Sequence, residues 1–253
     1  TAVRAGHATI TAAAGGKTGT CALTVNPDIY VAGSVYDGNN NAAVVWKNGK
    51  KLCSLTDGKQ NAYANSVFVS DGVVYTAGND GKPVAKVWKD GTELHALTDG
   101  TQYADASSVF VSGGAVYTAG YEYNKNGTPV AKVWKDGTVL HTLADGTLDS
   151  DASSVYVADG DVYVCGVEEV SENVYMLQVW KNGKVLHSYT PADQKEESYL
   201  NSISVWDGDV YTAGYEGSAD GYPAKVWKND GELYTLTEDG YASSVFVYTG
   251  PER

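Results

Sequence analysis

The chain reads as short runs of β-branched and aromatic residues alternating with small polar ones, each bounded by Gly, Asn or Asp. Val-Tyr-Thr-Ala-Gly, Lys-Val-Trp-Lys and Ser-Val-Phe-Val are typical, and no window places apolar residues at the 3.6-residue spacing of a helix. The pattern predicts strands throughout and no helix.

The runs recur in fixed order. Trp-Lys appears at Trp46, Trp88, Trp134, Trp180 and Trp227, at spacings of 42, 46, 46 and 47 residues. A Tyr-x-Ala-Gly run, or its Cys variant, begins at Tyr30, Tyr75, Tyr117, Tyr163 and Tyr211, and the Ser-Val-Phe-Val run begins at Ser66, Ser108, Ser154, Ser202 and Ser244. Between them lie Asn48-Gly49, Asp90-Gly91, Asp136-Gly137 and Asn182-Gly183, and also Asp71-Gly72, Gly113-Gly114, Asp159-Gly160 and Asp207-Gly208. Such pairs suit two-residue hairpins whose central residues take positive φ. The fifth copy, Asn229-Asp230-Gly231, is expected to be one residue longer.

Four strands per unit, repeated radially, predict an all-β, five-bladed β-propeller over residues 28–253. The repeats open at Asp28 without a Ser-Val-Phe-Val strand and close with an unmatched one at Ser243–Val247. That last strand is therefore expected to complete the first blade, with Ser-Val-Phe-Val innermost and the strands carrying Leu94 and Leu140 outermost. The five Trp are expected to fill the layers between blades. His95, His141 and His187 share one position with Cys53 and Tyr234, on outer strands that diverge too far to share a metal.

Residues 1–27 precede the repeats, and Thr1–Val25 alternates around Gly15-Gly16 as one hairpin. Its spelling, TAV-x-AG-x-ATITA-x-AGGKT-x-TC-x-LTV, resembles the closing strands of the group 2 bacterial immunoglobulin-like domain. The later units are similar to the Tyr-Ala-Gly and Trp-Lys-Asn-Gly repeats of secreted bacterial surface proteins. The resemblance implies an extracellular or cell-surface setting in a bacterium, with the chain a monomer inside a larger surface protein.

A net charge of −13 and a pI near 4.6 are the wrong sign for neutralising phosphates, so no nucleic-acid partner is expected. Apolar runs are too short for membrane insertion. Cys21, Cys53 and Cys165 form no C-x-x-C pair, and neither a metal nor a cofactor is assigned. Asp145, Asp149 and Asp151 form the densest acidic cluster, but without calcium-loop spacing.

Where copies disagree, binding can reside. The loops between second and third strands (SVYDGNNN, NDGK, YEYNKNGT, VEEVSENVY, YEGSADGY) and those between outer and inner strands vary, and by strand direction both sets emerge on one face. At the starts of the inner strands stand Tyr63, Asp105, Asp151, Tyr199 and Tyr241, followed two residues on by Asn65, Ser107, Ser153, Asn201 and Ser243. These ten are expected to ring the mouth of the channel and to hold a glycan or protein ligand, with no catalytic residue. The competing readings are a glycoside hydrolase whose carboxylates come from Glu168, Glu169, Glu196 and Glu197, and a structural spacer.

Overall fold

The computed structural model describes residues 6–81, 84–191, 193, 197–218 and 220–248, and among these every regular element is a strand. The first two, β1 (Gly6–Ala14) and β2 (Lys17–Val25), pair antiparallel and turn at Gly15 and Gly16, both at positive φ. Their described side chains from Thr9 to Ala22 are all exposed.

The remaining strands form sheets in sequence order. β3 (Tyr30–Tyr36), β4 (Asn41–Lys47) and β5 (Lys50–Ser54) make a three-stranded sheet. The second contains β6 (Tyr63–Ser70), β7 (Val73–Asn79), β8 (Ala85–Lys89) and β9 (Thr92–Ala96). The third contains β10 (Ala104–Ser112), β11 (Ala115–Tyr123), β12 (Pro129–Lys135) and β13 (Thr138–Thr142). The fourth contains β14 (Ser150–Ala158), β15 (Asp161–Ser171), β16 (Val174–Lys181) and β17 (Lys184–Tyr189). The fifth contains β18 (Tyr199–Trp206), β19 (Asp209–Tyr215), β20 (Ala224–Lys228) and β21 (Gly231–Thr237).

Tight turns set the registers at one end of every sheet. Asn48, Asp90, Asp136, Asn182 and Asn229 sit at φ near 50°, and each side-chain Oδ1 accepts a hydrogen bond from a backbone N–H at or just before the second repeat strand, from Ile29 N to Val210 N. The fifth turn is not longer than the others. Lys228 pairs with Gly231, so Asn229-Asp230 is the two-residue turn and Gly231 belongs to β21. Beside each turn a Lys ammonium lies 5.0–5.9 Å from a Tyr ring, in the pairs Lys47–Tyr30, Lys89–Tyr75, Lys135–Tyr117, Lys181–Tyr163 and Lys228–Tyr211.

Apolar layers lie between successive sheets, as alternation on both faces requires. One layer joins Tyr75, Val87 and Leu97 of the second sheet to Val109, Val116 and Trp134 of the third. The next joins Val133 and Leu143 to Val155, Val164 and Trp180, and the third joins Cys165, Leu177 and Val179 to Leu200, Ile203 and Trp227. Trp134 and Trp180 are fully enclosed, so these Trp residues are packing groups. His95 and His141 serve similarly: a Cβ on Gly137 or Gly183 would fall 2.7 Å from the facing imidazole, so each ring covers the next sheet's turn.

First strands face one another across the sheets. Phe68, Phe110 and Tyr156 pack in a row of mutually tilted rings with successive centroids 4.8 Å apart, and Val109 N and Val155 N donate to Ser66 Oγ and Ser108 Oγ of the preceding sheet. Val245 N donates to Ser202 Oγ in the same way, and Ala242 packs on Ala213 and Ala224. Residues 241–248 thus take the seat of a first strand beside the fifth sheet. They are not a strand, however, and β3 pairs only with β4, which departs from the expected closing ladder. The segment is held by side-chain hydrogen bonds to β18 and by Ala242 N donating to the Gly214 carbonyl of β19, while Val31 and Val35 on β3 and Phe246 on the segment remain exposed.

Candidate functional site

A bulge shapes the opposite end of each four-stranded sheet. The register slips between Ala64 and Ser66, Ala106 and Ser108, Ala152 and Ser154, and Leu200 and Ser202, making Asn65, Ser107, Ser153 and Asn201 the extra residues. The Gly of each Tyr-x-Ala-Gly run permits it. A Cβ on Gly78, Gly120, Gly166 or Gly214 would lie 1.8–2.1 Å from the carbonyl oxygen of Tyr63, Asp105, Asp151 or Tyr199, respectively. The glycine therefore lets the inner strand approach and fixes the residue at its start.

Four variable loops meet at this end around a cavity of about 450 Å³. Tyr121, Tyr123 and Pro129 come from the third sheet, Asp149, Ser150, Asp151, Val167, Asn173 and Tyr175 from the fourth, and Glu197, Ser198 and Tyr199 from the entry to the fifth. Tyr121 and Tyr123 pack edge to face at 5.9 Å, with Tyr103 beside both. On the other flank, Tyr199 contacts Tyr215, which contacts Tyr222 and Tyr241.

The ten expected site residues do not act as one ring. Asp151 and Tyr199 line the cavity, and Asp105 stands next to it, accepting hydrogen bonds from Asn65 Nδ2 (2.9 Å) and Asn79 Nδ2 (3.0 Å). Asn65 and Asn201 are cross-links, donating to the carbonyls of Ala106 on the next first strand and of Ala242 on the terminal segment. Ser107 and Ser153 occupy the bulges. Tyr63 accepts from Asn41 Nδ2 beside the first sheet, and Tyr241 and Ser243 are exposed on the terminal segment. Tyr121, Tyr123, Tyr175, Asp149 and Glu197 were not singled out as ligand contacts; the dense Tyr-Glu-Tyr spelling at 121–123 was the available signal.

Electrostatics distinguish this cavity. Burial, reinforced by the Asp105 charge, pushes Asp151 up to about 6, and Asp151 Oδ1 is buried without a hydrogen-bond partner among the described residues. Burial and then Glu169 raise Asp149, while burial raises Tyr121 and Tyr199, with nearby carboxylates adding to both. Of the fourth-unit glutamates, Glu197 lines the cavity, Glu168 accepts from Gln178 at 3.1 Å, Glu169 accepts from Asn173 N, and Glu196 lies outside the described residues. A second recess of about 470 Å³, between the first two sheets, holds Trp88 and Lys86, whose ammonium is paired with Asp80 and Glu93.

No family model matches the chain, and no curated protein matches it in sequence. Among solved structures, an α-L-arabinofuranosidase from Clostridium thermocellum ATCC 27405 is similar at a TM-score of 0.37 and 12% identity, covering 76% of this chain and 79% of that one. With a glycoside hydrolase among the matches, the expectation of a chain without enzymatic activity is withdrawn, although a likeness this slight assigns no reaction. The WD40 β-propeller domain of Doa1 is similar at a TM-score of 0.51 and 20% identity, covering 84% of this chain and 70% of that one. At that identity the likeness speaks for architecture alone: this chain is built as a β-propeller.

Proposed function

We propose that this chain is a ligand-binding module of a bacterial surface or secreted protein, recognising a glycan or protein ligand through the variable-loop face. The observation that carries the reading is the cavity itself, where aromatic side chains from three sheets line a recess together with Asp151, whose buried Oδ1 has no hydrogen-bond partner among the described residues. In this reading, residues 28–253 close into five blades when the 241–248 segment pairs with β3, and β1–β2 is the end of an immunoglobulin-like module. A glycan array with the whole chain, repeated with Asp151→Asn and Tyr199→Ala, tests the proposal. Recognition lost in both variants supports it, and recognition indifferent to both moves the site elsewhere.

A second reading has one specific observation in its favour. A carboxyl with its pKa at about 6, in a cavity that Asp149 and Glu197 also line, has the character of a general acid in glycoside cleavage. Release of nitrophenol from aryl glycosides, abolished by Asp151→Asn, would establish it; absence of turnover across an aryl glycoside panel would remove it.

A further inference from the structure

The cavity has aromatic faces and negative charge, but none of its described lining residues is Lys, Arg or His. Tyr121, Tyr123, Tyr175 and Tyr199 supply rings whose faces attract cations, and Asp149 and Glu197 line the same cavity as Asp151. A comparison among the repeats sharpens the point. At one position Lys86, Lys132 and Lys225 pair with carboxylates of their own sheets, whereas the fourth sheet places Gln178 there. Glu168 consequently receives an amide hydrogen bond in place of a cation, and the Asp145 charge lies near it. Of the other four sheets three keep that Lys and the first places Val44 there, so the sheet supplying most of the cavity carries an amide where most of its counterparts carry a cation.

An uncompensated site of this kind is costly to maintain in an empty protein, and a cationic ligand relieves the cost. The carboxylates do not converge on one point: among the described residues no three His, Cys, Asp or Glu side chains are grouped to hold a metal ion. A bulky cation whose charge is spread over alkyl groups satisfies both the wide spacing and the aromatic walls.

Resting on the binding role proposed above, we propose that the cavity takes an organic ammonium group, with the tyrosine rings against its alkyl substituents and Asp151 facing its charge. Such a group can belong to a small molecule or to a lysine side chain of a peptide.

The test is an NMR titration of the labelled whole chain with choline chloride and with 3,3-dimethylbutanol, its neutral isostere. Choline is expected to shift the backbone signals of Asp151 and Tyr199 saturably, with the isostere at least about tenfold weaker, the loss of a cation–aromatic contact in a desolvated site. Glu197→Gln and Tyr175→Leu should each weaken choline severalfold while the rest of the spectrum stays folded. Nα-acetyl-lysine methylamide, bare and trimethylated, then distinguishes a peptide source from a small molecule. Equal binding of choline and its isostere would overturn the cationic reading while leaving a ligand cavity in place. No shift with any ammonium probe would overturn it as well, and a glycan-array signal that still depends on Asp151 and Tyr199 would show that the binding role survives. If that signal is also missing, both fall.

Discussion

Replacing Gly166 by Ala probes the device that builds the site. The new Cβ would sit 2.0 Å from the Asp151 carbonyl oxygen and 3.0 Å from Ala152 Cα, both backbone atoms that cannot swing aside. Relief demands a movement of about 1 Å or more between β14 and β15 at the bulge around Ser153, with overpacking of this kind costing about 1–3 kcal/mol. Loss of a ladder hydrogen bond adds about 1 kcal/mol, for a total of about 2–4 kcal/mol. For a chain of this size that corresponds to a fall in melting temperature of roughly 5–15 °C. Calorimetry on Gly166→Ala measures the cost, and Gly19→Ala is the control, because its Cβ meets nothing within 4 Å. Ligand binding should fall too, since Asp151 moves with its carbonyl. A Gly166→Ala protein that melts within a degree of the parent would refute the claim that this glycine sets the approach of the inner strand.

Trp134→Ala should cost about 3–5 kcal/mol, because the side chain is fully enclosed between the second and third sheets; urea denaturation followed by fluorescence measures it. Asp151 gives a pH signature. Its folded pKa of about 6 lies above the ordinary 3.8, so the folded state holds the extra proton, and stability falls as pH rises through that window, by about 3 kcal/mol at most. The groups facing it, Asp105, Tyr121, Tyr199 and Cys165, include no cation, so Asp151→Asn should stabilise the chain at pH 7.5 and leave it nearly unchanged at pH 3.5. Equal effects at the two pH values, read from melting curves, would remove burial of the charge as the cause. Ring closure can be tested at Gly33, where a Cβ meets only the Trp46 ring at 3.2 Å in the open arrangement. If Tyr241 docks on β3 as Tyr63 docks on β7, Gly33→Ala should lower the melting temperature as much as Gly78→Ala; a neutral Gly33→Ala would mean that β3 stays unpaired.

The repeated architecture was legible because each physical requirement is spelled several times. A turn residue at φ near 50° favours Asn or Asp, and such a residue followed by Gly recurs at 48–49, 90–91, 136–137 and 182–183. The Trp layer was readable for the same reason. The bulges were not, since Asn65, Ser107, Ser153 and Asn201 share no bulge-specific residue type; what marks each bulge is the distant glycine beneath it. The candidate site was only half legible. A symmetric ring was expected at the loop end, whereas the cavity takes Asp151 and Tyr199 from that one repeat position together with Tyr121 and Tyr175 from other positions of neighbouring sheets. Such convergence depends on how the third, fourth and fifth sheets lean together, which no periodicity records.

The central claim, that the variable-loop face with its tyrosine-walled cavity is where this propeller meets its ligand, is most directly tested by comparing two triple variants in one binding assay. Tyr121→Ala, Tyr175→Ala and Tyr199→Ala together strip the cavity wall, and Lys47→Ala, Lys89→Ala and Lys135→Ala together strip cations from the turn end, where each lies over a Tyr ring. On the glycan array, with choline titration alongside, the tyrosine variant is expected to lose binding while folded and the lysine variant to keep it. Binding that survives the tyrosine variant and disappears with the lysine variant would put the site at the turn end instead of at the loop face.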